Sequence, residues 1–493
     1  MLRITPSDIT ALYIPSRCDL RVWFRTQNWT SRADTAYEEV LRRLGERHET
    51  AHLQSIQSCT PIDTKSEDER VRLTQDLIKN KCPAIYQPAF RIVHKVHAED
   101  IEIFGVPDFL LLDDGGYIVR DAKMARRVND EAHPEIILQL QLYGWLYQMT
   151  CGVPAKALQV YSGKKEIVEV PDDRGVAALA EVARVVALKK SSQRFYEPVG
   201  WSKCNPCEFH QTCWNEAEKK NDVALIPDVD QGLARRLHEM NIHTPESLLK
   251  TLDEQTLSDL KRPSGTGEKR VGIKAKQILL FAEVFTEGKE RILGIPKIPP
   301  SNNYVMFDLE GMPPHLDELD KIYLWGTQVF GKSPGEFRPA VAEFGDDGDI
   351  KSWFGFLAIA NDVFTQHGDI PFVHWAPYEK THVKKYIDRY GDPDGTGARV
   401  LANLFDLLTT ARTSVALPLP SRSLKVIEQH VGYVRKQNEF GGQWSMAMFI
   451  EATETSDQLV RAKLIDQILA YNREDLDAMW AVFEWLRAMI PQS

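Results

Sequence analysis

The segment that most constrains the fold is IEIFGVPDFLLLDDGGYIVRDAKM, at residues 101–124. Two runs rich in Ile, Val, Phe and Leu flank an Asp-Asp-Gly-Gly turn signal, and this pattern predicts a β-hairpin. With Asp114 and Gly115 at the centre of the turn, Asp108 is expected directly opposite Asp121. Cross-strand neighbours of this kind lie about 5 Å apart at Cβ. The turn therefore predicts two adjacent carboxylates.

Lys123 lies two residues beyond Asp121 and is expected on the same face of the strand. Two carboxylates and an ammonium on an apolar hairpin are costly as structure alone. They suit a divalent ion, because carboxylate oxygens bind Mg²⁺ or Mn²⁺. The ion and Lys123 would polarise a phosphate and activate water. The alternative is a solvated hairpin face whose charges pair with one another.

Two predicted helices flank this hairpin. LRRLGERHETAHL (41–53) carries His48, a potential third ligand, and EIILQLQLYGWLY (135–147) places Gln139 and Tyr143 on one face. The ordered series of a helix His, G-V-P-D, D-A-K and Q-x-x-x-Y resembles the PD-(D/E)XK nucleases, in particular their RecB-like branch. The resemblance implies a restriction-endonuclease-like nuclease core.

The resemblance also implies roles for these residues. His48, Asp108 and Asp121 would be metal ligands, and Lys123 would orient or activate the attacking water. Gln139 and Tyr143 would hold the DNA strand or support the site.

Three cysteines in WSKCNPCEFHQTCW, namely Cys204, Cys207 and Cys213, have the C-x2-C-x5-C spacing of a metal site. A fourth ligand must come from elsewhere, and the candidates are Cys18, Cys59, Cys82, Cys151 and His210. Spacing alone does not separate zinc from an iron–sulfur cluster. In a cytoplasmic chain, a metal site or simple burial is expected before disulfides.

Relatives of the RecB nucleases in CRISPR-associated systems and DNA replication clamp one N-terminal cysteine to a C-terminal trio around a [4Fe–4S] cluster. Cys18, in TPSDITALYIPSRCDLRVWF, has the matching context. The resemblance therefore implies that Cys18 joins the trio and that the cluster, with zinc as the alternative, staples the two ends of the domain together.

A second group of carboxylates lies in the C-terminal part. YVMFDLEG (304–311) is a predicted strand whose spacing puts Asp308 and Glu310 on one face. The predicted helix AYNREDLDAMWAVFEWL places Tyr471 and Asp475 at i and i+4, again on one face. Strand and helix therefore each contribute a pair of polar groups.

These motifs resemble the DEDD exonucleases of the RNase H-like fold, in the subtype with a tyrosine. The family's middle motif corresponds to HWAPYE, where Glu379 replaces the usual Asp and Trp375 the usual Asn. The resemblance implies two-metal hydrolysis. Its metal ligands would be Asp308, Glu310, Glu379 and Asp475, with Asp406 as a fallback for Glu379, and Tyr471 would orient the attacking water.

Between these parts, residues 219–293 are predicted to be wholly helical, and the Pro-rich GIPKIPPSNN (294–303) is a candidate linker. The piece VGIKA at 271–275, after Gly265 and among several lysines and arginines, resembles a helix–hairpin–helix turn that would meet DNA phosphates. A plain helical spacer with a basic face is the alternative.

The predicted architecture is therefore an α/β multidomain chain. Its parts are a RecB-like nuclease domain with the cysteine cluster (1–218), a helical, helix–hairpin–helix-like region (219–298) and an RNase H-like DEDD exonuclease domain (299–493). The net charge of −10 does not exclude nucleic acid, because a nuclease needs clustered carboxylates and only a local basic groove.

The sequence contains no apolar run of membrane-spanning length and no signal-peptide pattern at its start, so a cytoplasmic location is expected. No G-x-x-x-x-G-K-[ST] motif occurs, so any unwinding would need a partner such as a superfamily 1 helicase. The leading hypothesis is an exonuclease acting on single-stranded or end-opened DNA, in repair or in defence against foreign DNA. The alternatives are a nuclease with one working site and a nucleic-acid-binding platform, or a non-catalytic scaffold that recruits a helicase.

Overall fold

The structure is a computed structural model, and it describes residues 1–264, 267–313, 320–343, 348–437 and 441–491. Gly265 lies outside these residues. The chain divides into two compact units, the first made of Met1–Asp34 with Leu41–Glu216 and the second of Thr35–Val40 with Ala217–Ser493.

The elements up to residue 220 are a mixture of strands and helices. The strands are β1 (Leu2–Ile4), β2 (Cys59–Pro61), β3 (Ala84–Tyr86), β4 (Phe90–Val96), β5 (Glu99–Gly105), β6 (Phe109–Asp113), β7 (Gly116–Ala122), β8 (Ala157–Tyr161) and β9 (Ile167–Val170). The helices are α1 (Pro6–Tyr13), α2 (Asp19–Thr26), α3 (Ala36–Ser55), α4 (Glu67–Lys79), α5 (Pro134–Cys151), α6 (Val176–Lys190), α7 (Trp201–Cys204) and α8 (His210–Lys220).

The larger sheet of the first unit has the strand order β2-β3-β6-β7-β8-β9, and a smaller sheet has the order β1-β5-β4. The predicted hairpin is confirmed, since Asp113 pairs with Gly116 and Phe109 with Arg120 across β6 and β7. Gly115 has a φ of 119°, a conformation that glycine adopts without strain. The turn residues therefore set the register.

Helix α5 is apolar around most of its circumference, and such helices are buried. It packs closely on the sheets because a glycine lies at each of two contact points, one on the helix and one on a strand. A Cβ on Gly144 of α5 would lie 2.7 Å from Leu158 of β8, and one on Gly105 of β5 would lie 2.7 Å from Leu146 of α5. These close approaches hold α5 against β5 and β8.

The elements of the second unit beyond residue 220 are again mixed. The strands are β10 (Lys261–Ser264), β11 (Gly267–Arg270), β12 (Arg291–Ile292), β13 (Asn303–Met312), β14 (Lys321–Gly331), β15 (Arg338–Val341), β16 (Phe372–His374), β17 (Leu404–Asp406) and β18 (Val415–Ala416). The helices are α9 (Gln231–Glu239), α10 (Pro245–Thr251), α11 (Glu254–Asp259), α12 (Ala275–Glu287), α13 (Gly348–His367), α14 (Tyr378–Tyr390), α15 (Thr396–Ala402), α16 (Leu407–Ser414), α17 (Leu424–His430), α18 (Gly442–Glu454) and α19 (Gln458–Ala488), with 3₁₀ turns at Val223–Leu225 and Gly272–Lys274.

The prediction that residues 219–293 are wholly helical is wrong for two parts, the β10–β11 hairpin and the short strand β12. Strands β10 and β11 form an antiparallel hairpin between α11 and α12. Pro263 lies within β10, and a proline inside a helix would remove a hydrogen bond and clash with the preceding turn. The predicted linker is irregular, as expected, but β12 just before it pairs with β18.

The sheet that follows has the order β15-β14-β13-β16-β17, in which β15, β14 and β13 are antiparallel and β13, β16 and β17 are parallel. One apolar core lies between this sheet and α13, α14 and α15, and another lies between the sheet and α16, α17 and α19. The carboxyl ends of the three parallel strands meet at one edge, where polar groups can converge.

Among the described residues of both units, no helix is both long and apolar enough to span a membrane.

Candidate active sites and the cysteine cavity

The first site is built on the β6–β7 hairpin. The backbone N–H of Asp108 donates to Asp121 Oδ1 at 3.1 Å, and the N–H of Ala122 donates to Asp108 Oδ2 at 2.7 Å. Each carboxylate is thus fixed by the other strand, with Asp108 just ahead of β6. Burial and the neighbouring Asp121 raise the pKa of Asp108 well above its usual range. Such a pair binds a cation readily, because a cation relieves both effects.

Lys123 belongs to the same site. Its Nζ lies 2.6 Å from Asp121 Oδ2, and Asp121 is almost fully buried. Burial lowers the pKa of Lys123, but Asp121 and Asp108 outweigh that effect and the pKa is raised. The lysine is therefore held as an ammonium beside Asp121, just after the end of β7.

Helix α5 brings its two predicted residues to this hairpin. Gln139 Nε2 donates to the Tyr143 hydroxyl at 2.9 Å, which confirms their shared helix face. Burial and the charge of Asp121 raise the pKa of Tyr143 well above its usual range, so the phenol stays protonated. Both side chains are held in place as hydrogen-bonding groups.

The neighbouring helix α3 carries the predicted ligand His48 and, next to it, Glu49, which was not predicted. His48 Nε2 lies 3.2 Å from the Tyr161 carbonyl, and its ring stacks on that of Tyr161. Glu49 instead accepts a hydrogen bond from Tyr86 at 2.7 Å, and its charge raises the pKa of Asp108. Of the two residues, Glu49 is therefore the one whose charge acts on the carboxylate pair. In the sequence, only its position next to His48 indicated that it could belong to the site.

The four cysteines predicted to share a metal line one cavity, and they are Cys18, Cys204, Cys207 and Cys213. Burial raises the pKa of Cys18 strongly, that of Cys207 to about 11 and that of Cys213 to about 12. Buried thiols of this kind are deprotonated by a bound metal ion. The donor set fits four-thiolate ligation.

Cys18 is the N-cap residue of α2, whereas the other three lie on or beside α7 and α8. Among the alternatives for the fourth ligand, His210 also lines the cavity. Cys82 lies elsewhere, with its Sγ 3.3 Å from Thr60 Oγ1. The structure thus gathers Cys18 rather than Cys82 with the trio.

The second site is built on β13, which carries Asp308 and Glu310, and on α19, which carries Asp475. One oxygen from each of the Asp308, Glu310 and Asp475 carboxylates lies within 4.8 Å of the others. Burial and then Asp475 raise the pKa of Asp308 well above its usual range and that of Glu310 to about 8. Three oxygen ligands at this spacing fit Mg²⁺ or Mn²⁺.

A buried amide orients the first of these carboxylates. Asn472, which follows Tyr471 on α19, donates from Nδ2 to Asp308 Oδ2 at 2.7 Å. The approach depends on Gly326 of β14, the cross-strand partner of Asp308, because a Cβ there would collide with Asn472 Oδ1. The motif spacing gave no sign of this residue.

Tyr471 has a basic neighbour in this site. Lys425 of α17 donates from Nζ to the Tyr471 hydroxyl at 3.0 Å. The pKa of Lys425 is lowered, mainly by burial, and the charges of Asp475 and Glu310 offset that effect only in part. Burial and Asp475 raise the pKa of Tyr471 well above its usual range. The tyrosine is therefore a neutral phenol that accepts a hydrogen bond from the ammonium of Lys425 on another helix.

A second basic residue holds Asp475. Arg435 forms two hydrogen bonds with the buried Glu428, of 2.6 and 2.8 Å, and an ion pair with Asp475. Its side chain is 4% exposed. Sequence spacing did not indicate Lys425, Arg435 or Glu428 as parts of the site.

Glu379, one of the two residues that depart from the family motif, lies in the first turn of α14, which begins at Tyr378 after the left-handed residue Ala376. Its Oε2 lies 3.2 Å from His374 Nδ1, and both side chains are 3% exposed. Burial raises the pKa of Glu379. Its charge acts on Asp308, but it is not part of the close group of three carboxylates. Asp406 caps α16 through Thr409.

Comparisons with known proteins agree with this geometry. Residues 22–214 match the PD-(D/E)XK nuclease superfamily and residues 305–487 match the RNase_H superfamily. Two domains of nuclease superfamilies indicate a metal-dependent nuclease, a hydrolase that acts on nucleic acids. The chain contains a PD-(D/E)XK nuclease superfamily domain followed by an RNase H superfamily domain, and both kinds of nuclease typically use divalent ions such as Mg²⁺.

No curated protein matches the chain. A solved structure described as "Crystal structure of SSO0001" is 19% identical over 43% of this chain and 85% of that chain, with a TM-score of 0.23. A TM-score this low does not establish a shared fold.

Proposed function

We propose that this chain is a RecB-like, metal-dependent deoxyribonuclease with an active site in each nuclease domain, acting as an exonuclease on single-stranded or end-opened DNA. The observation that carries the proposal is the group formed by Asp308, Glu310 and Asp475, whose oxygens lie within 4.8 Å of one another. The other domain offers the pair Asp108 and Asp121. Both groups stand beside a lysine, which suits an anionic phosphodiester.

In the first domain, Asp108 and Asp121 would hold Mg²⁺ or Mn²⁺, with His48 or Glu49 as the contribution from α3. Lys123 would orient the attacking water, since its ammonium is fixed 2.6 Å from Asp121. Gln139 and Tyr143 would support the site and hold the DNA strand.

In the second domain, Asp308, Glu310, Asp475 and Glu379 would provide the carboxylates and Tyr471 would position the nucleophilic water. A bound divalent ion supplies activation of water and stabilisation of the leaving 3′ oxygen. The longer side chain of Glu379 would reach the site from the start of α14, with His374 steering its carboxylate at 3.2 Å.

The cysteine cavity would hold a [4Fe–4S] cluster, with zinc as the alternative, ligated by Cys18, Cys204, Cys207 and Cys213. The cluster would tie α2 to α7 and α8 and take no part in cleavage. The proposed domains are 1–218, 219–298 and 299–493. The middle, helix–hairpin–helix-like region would contact DNA phosphates through the exposed basic residues of β10, β11 and the 3₁₀ turn at Gly272–Lys274.

The proposed setting is DNA repair or defence against foreign DNA, with a superfamily 1 helicase as the partner that supplies unwinding. A second candidate function is a nuclease with one working site in the first domain. The observation that favours it is the ion pair between Arg435 and Asp475, which occupies one of the carboxylates of the C-terminal group.

The test is digestion of 5′- and 3′-labelled DNA with Mn²⁺ by the wild type, Asp108→Ala, Asp308→Ala and the double variant. Each single variant should remove one activity, and the double variant should be inactive. Asp100→Ala and Asp362→Ala are matched controls, because these aspartates pair with Lys95 and Arg338 on exposed surfaces. Loss of all cleavage with Asp108→Ala alone would favour the single-site candidate. A wild type that cuts no nucleic acid with any divalent ion would refute both and favour a scaffold.

A further inference from the structure

The C-terminal carboxylate site contains two basic side chains of its own. Lys425 Nζ lies 3.0 Å from the Tyr471 hydroxyl and 4.8 Å from the centre of its ring. It also acts electrostatically on Asp475 and Glu310. Because Lys425 comes from α17 whereas Tyr471 and Asp475 come from α19, the packing of these two helices fixes the ammonium beside the carboxylates.

Arg435, unlike Lys425, forms ion pairs with two carboxylates. Its guanidinium is held by two hydrogen bonds to Glu428, and both side chains are nearly fully buried. It also pairs with Asp475. Arg435 thus neutralises the buried Glu428 and also partly neutralises Asp475.

The remaining charges decide how many ions the site accommodates. Asp308, Glu310, Asp475 and Glu379 bring four negative charges at most, which is what two divalent ions would balance. Arg435 is largely balanced by Glu428, so the net positive charge on the side of Asp475 comes from the ammonium of Lys425. A second divalent ion on that side would stand close to the ammonium of Lys425, and like charges at such distances repel strongly in a partly buried site.

Resting on the proposed function of this site, we infer that it binds a single divalent ion and that the ammonium of Lys425 takes the place of the second. The ion would be held by Asp308, Glu310 and Asp475, and Asp475 would also keep its ion pair with Arg435. The Lys425 ammonium, beside Tyr471, would bind the phosphate oxygens of the substrate. A lysine is suited to this as a compact point charge with three donors.

The inference is tested by counting bound Mn²⁺ in the full-length chain carrying Asp108→Asn and Asp121→Asn, which disables the other carboxylate site. Electron paramagnetic resonance of free Mn²⁺ gives the stoichiometry, and the spectrum of bound Mn²⁺ separates isolated ions from exchange-coupled pairs. We expect one isolated ion in this background. Adding Lys425→Met should raise the number to two, with a coupled signal, whereas Lys425→Arg should leave it at one.

Two controls guard the interpretation. Lys250→Met removes an exposed lysine that pairs with Glu246 and should change nothing. Adding Asp308→Asn to the background should abolish tight binding, which assigns the counted ion to this site. Thermal unfolding of each variant verifies that it is folded.

Two bound ions in the background, or one ion both with and without Lys425→Met, would overturn the inference and leave the proposed nuclease site standing. No tight Mn²⁺ in the folded background would instead overturn the proposed function of this site, and the inference with it. The failures are therefore distinguishable by the count alone.

Discussion

The side-chain amide of Asn472 donates a 2.7 Å hydrogen bond to Asp308, and it does so through space left open by Gly326 on the neighbouring strand. Asn472 is fully buried, so it has no room to retreat from an added methyl group. The carboxylate that begins the C-terminal site is thus oriented by an amide on the last long helix.

Gly326→Ala should therefore destabilise the protein by about 1–3 kcal/mol, the usual cost of overpacking a core, and should weaken Mn²⁺ binding. Urea unfolding and Mn²⁺ titration measure the two effects. The matched control is Gly355→Ala in α13, where the new Cβ would lie an ordinary 3.4 Å from Ala340. That variant should gain up to about 1 kcal/mol, because alanine favours a helix over glycine. Equal stability of the two variants would contradict the role of Gly326.

Metal-free stability should depend on pH through Glu310. Burial and Asp475 raise its pKa to about 8 in the folded protein, against 4.5 as the ordinary value. Between these pH values the folded state keeps a proton on Glu310 that the unfolded state has lost. The stability that this proton contributes is complete below about pH 4.5 and is lost as the pH rises through about 8.

The melting temperature in EDTA should therefore fall from acid to alkaline pH across this window more steeply for the wild type than for Glu310→Gln. The slope difference corresponds to roughly 1.4 kcal/mol per pH unit where the two states differ by one proton. Saturating Mn²⁺ should remove the difference, because the ion takes over from the proton. Parallel pH profiles in EDTA would rule out this role of Glu310.

Lys123→Met should lower cleavage at the first site by about 100-fold or more, the usual contribution of a positioned acid–base group. Mn²⁺ should still bind, because Asp108 and Asp121 remain. The background for the assay is Asp308→Ala, so that only the first site is measured. Lys95→Met, which removes an exposed lysine paired with Asp100, is the control. Undiminished cleavage by Lys123→Met would show that the lysine only neutralises Asp121.

Arg435→Met should destabilise the second unit by about 3–5 kcal/mol, because it leaves the buried Glu428 without its partner. Calorimetry of the full-length chain measures the loss. Arg399→Met provides the comparison, since Arg399 pairs with Asp369 on the exposed surface and should cost less than about 1 kcal/mol. A loss that small for Arg435→Met would mean that Glu428 is protonated or solvated instead.

Cys204→Ser should abolish the visible absorbance and the iron content of protein purified without oxygen. Cys59→Ser should leave both unchanged, because Cys59 lies on β2 and not on the cavity lined by Cys18 and the trio. A colourless wild type with stoichiometric zinc would replace the iron–sulfur cluster by zinc at the same cysteines.

Several parts of both sites could be predicted because they depend on local periodicity. The Asp114-Gly115 turn fixes the hairpin register and so places Asp108 opposite Asp121. The i, i+4 spacing of Gln139 and Tyr143 gives a hydrogen bond of 2.9 Å. The β10–β11 hairpin was missed because its sequence is polar and exposed and lacks the apolar alternation that indicates a strand.

Other groups have no local signature. Asn472 and Asp308 are 164 residues apart, and Lys425 and Tyr471 are 46 apart, so their contacts depend on how α17 and α19 pack against the sheet. His48 and Glu49 are both polar residues on a helix, and only the packing of that helix distinguishes their surroundings.

The sequence by itself determined which carboxylates share a strand face, which polar residues share a helix face and where the hairpin turns, because side-chain direction follows from backbone periodicity. The tertiary structure alone decided that β13 and α19 bring Asp308, Glu310 and Asp475 together, and that Lys425 and Arg435 join them. Contacts between distant segments are set by the burial of apolar faces, so the charges that balance a buried carboxylate follow from packing and not from spacing.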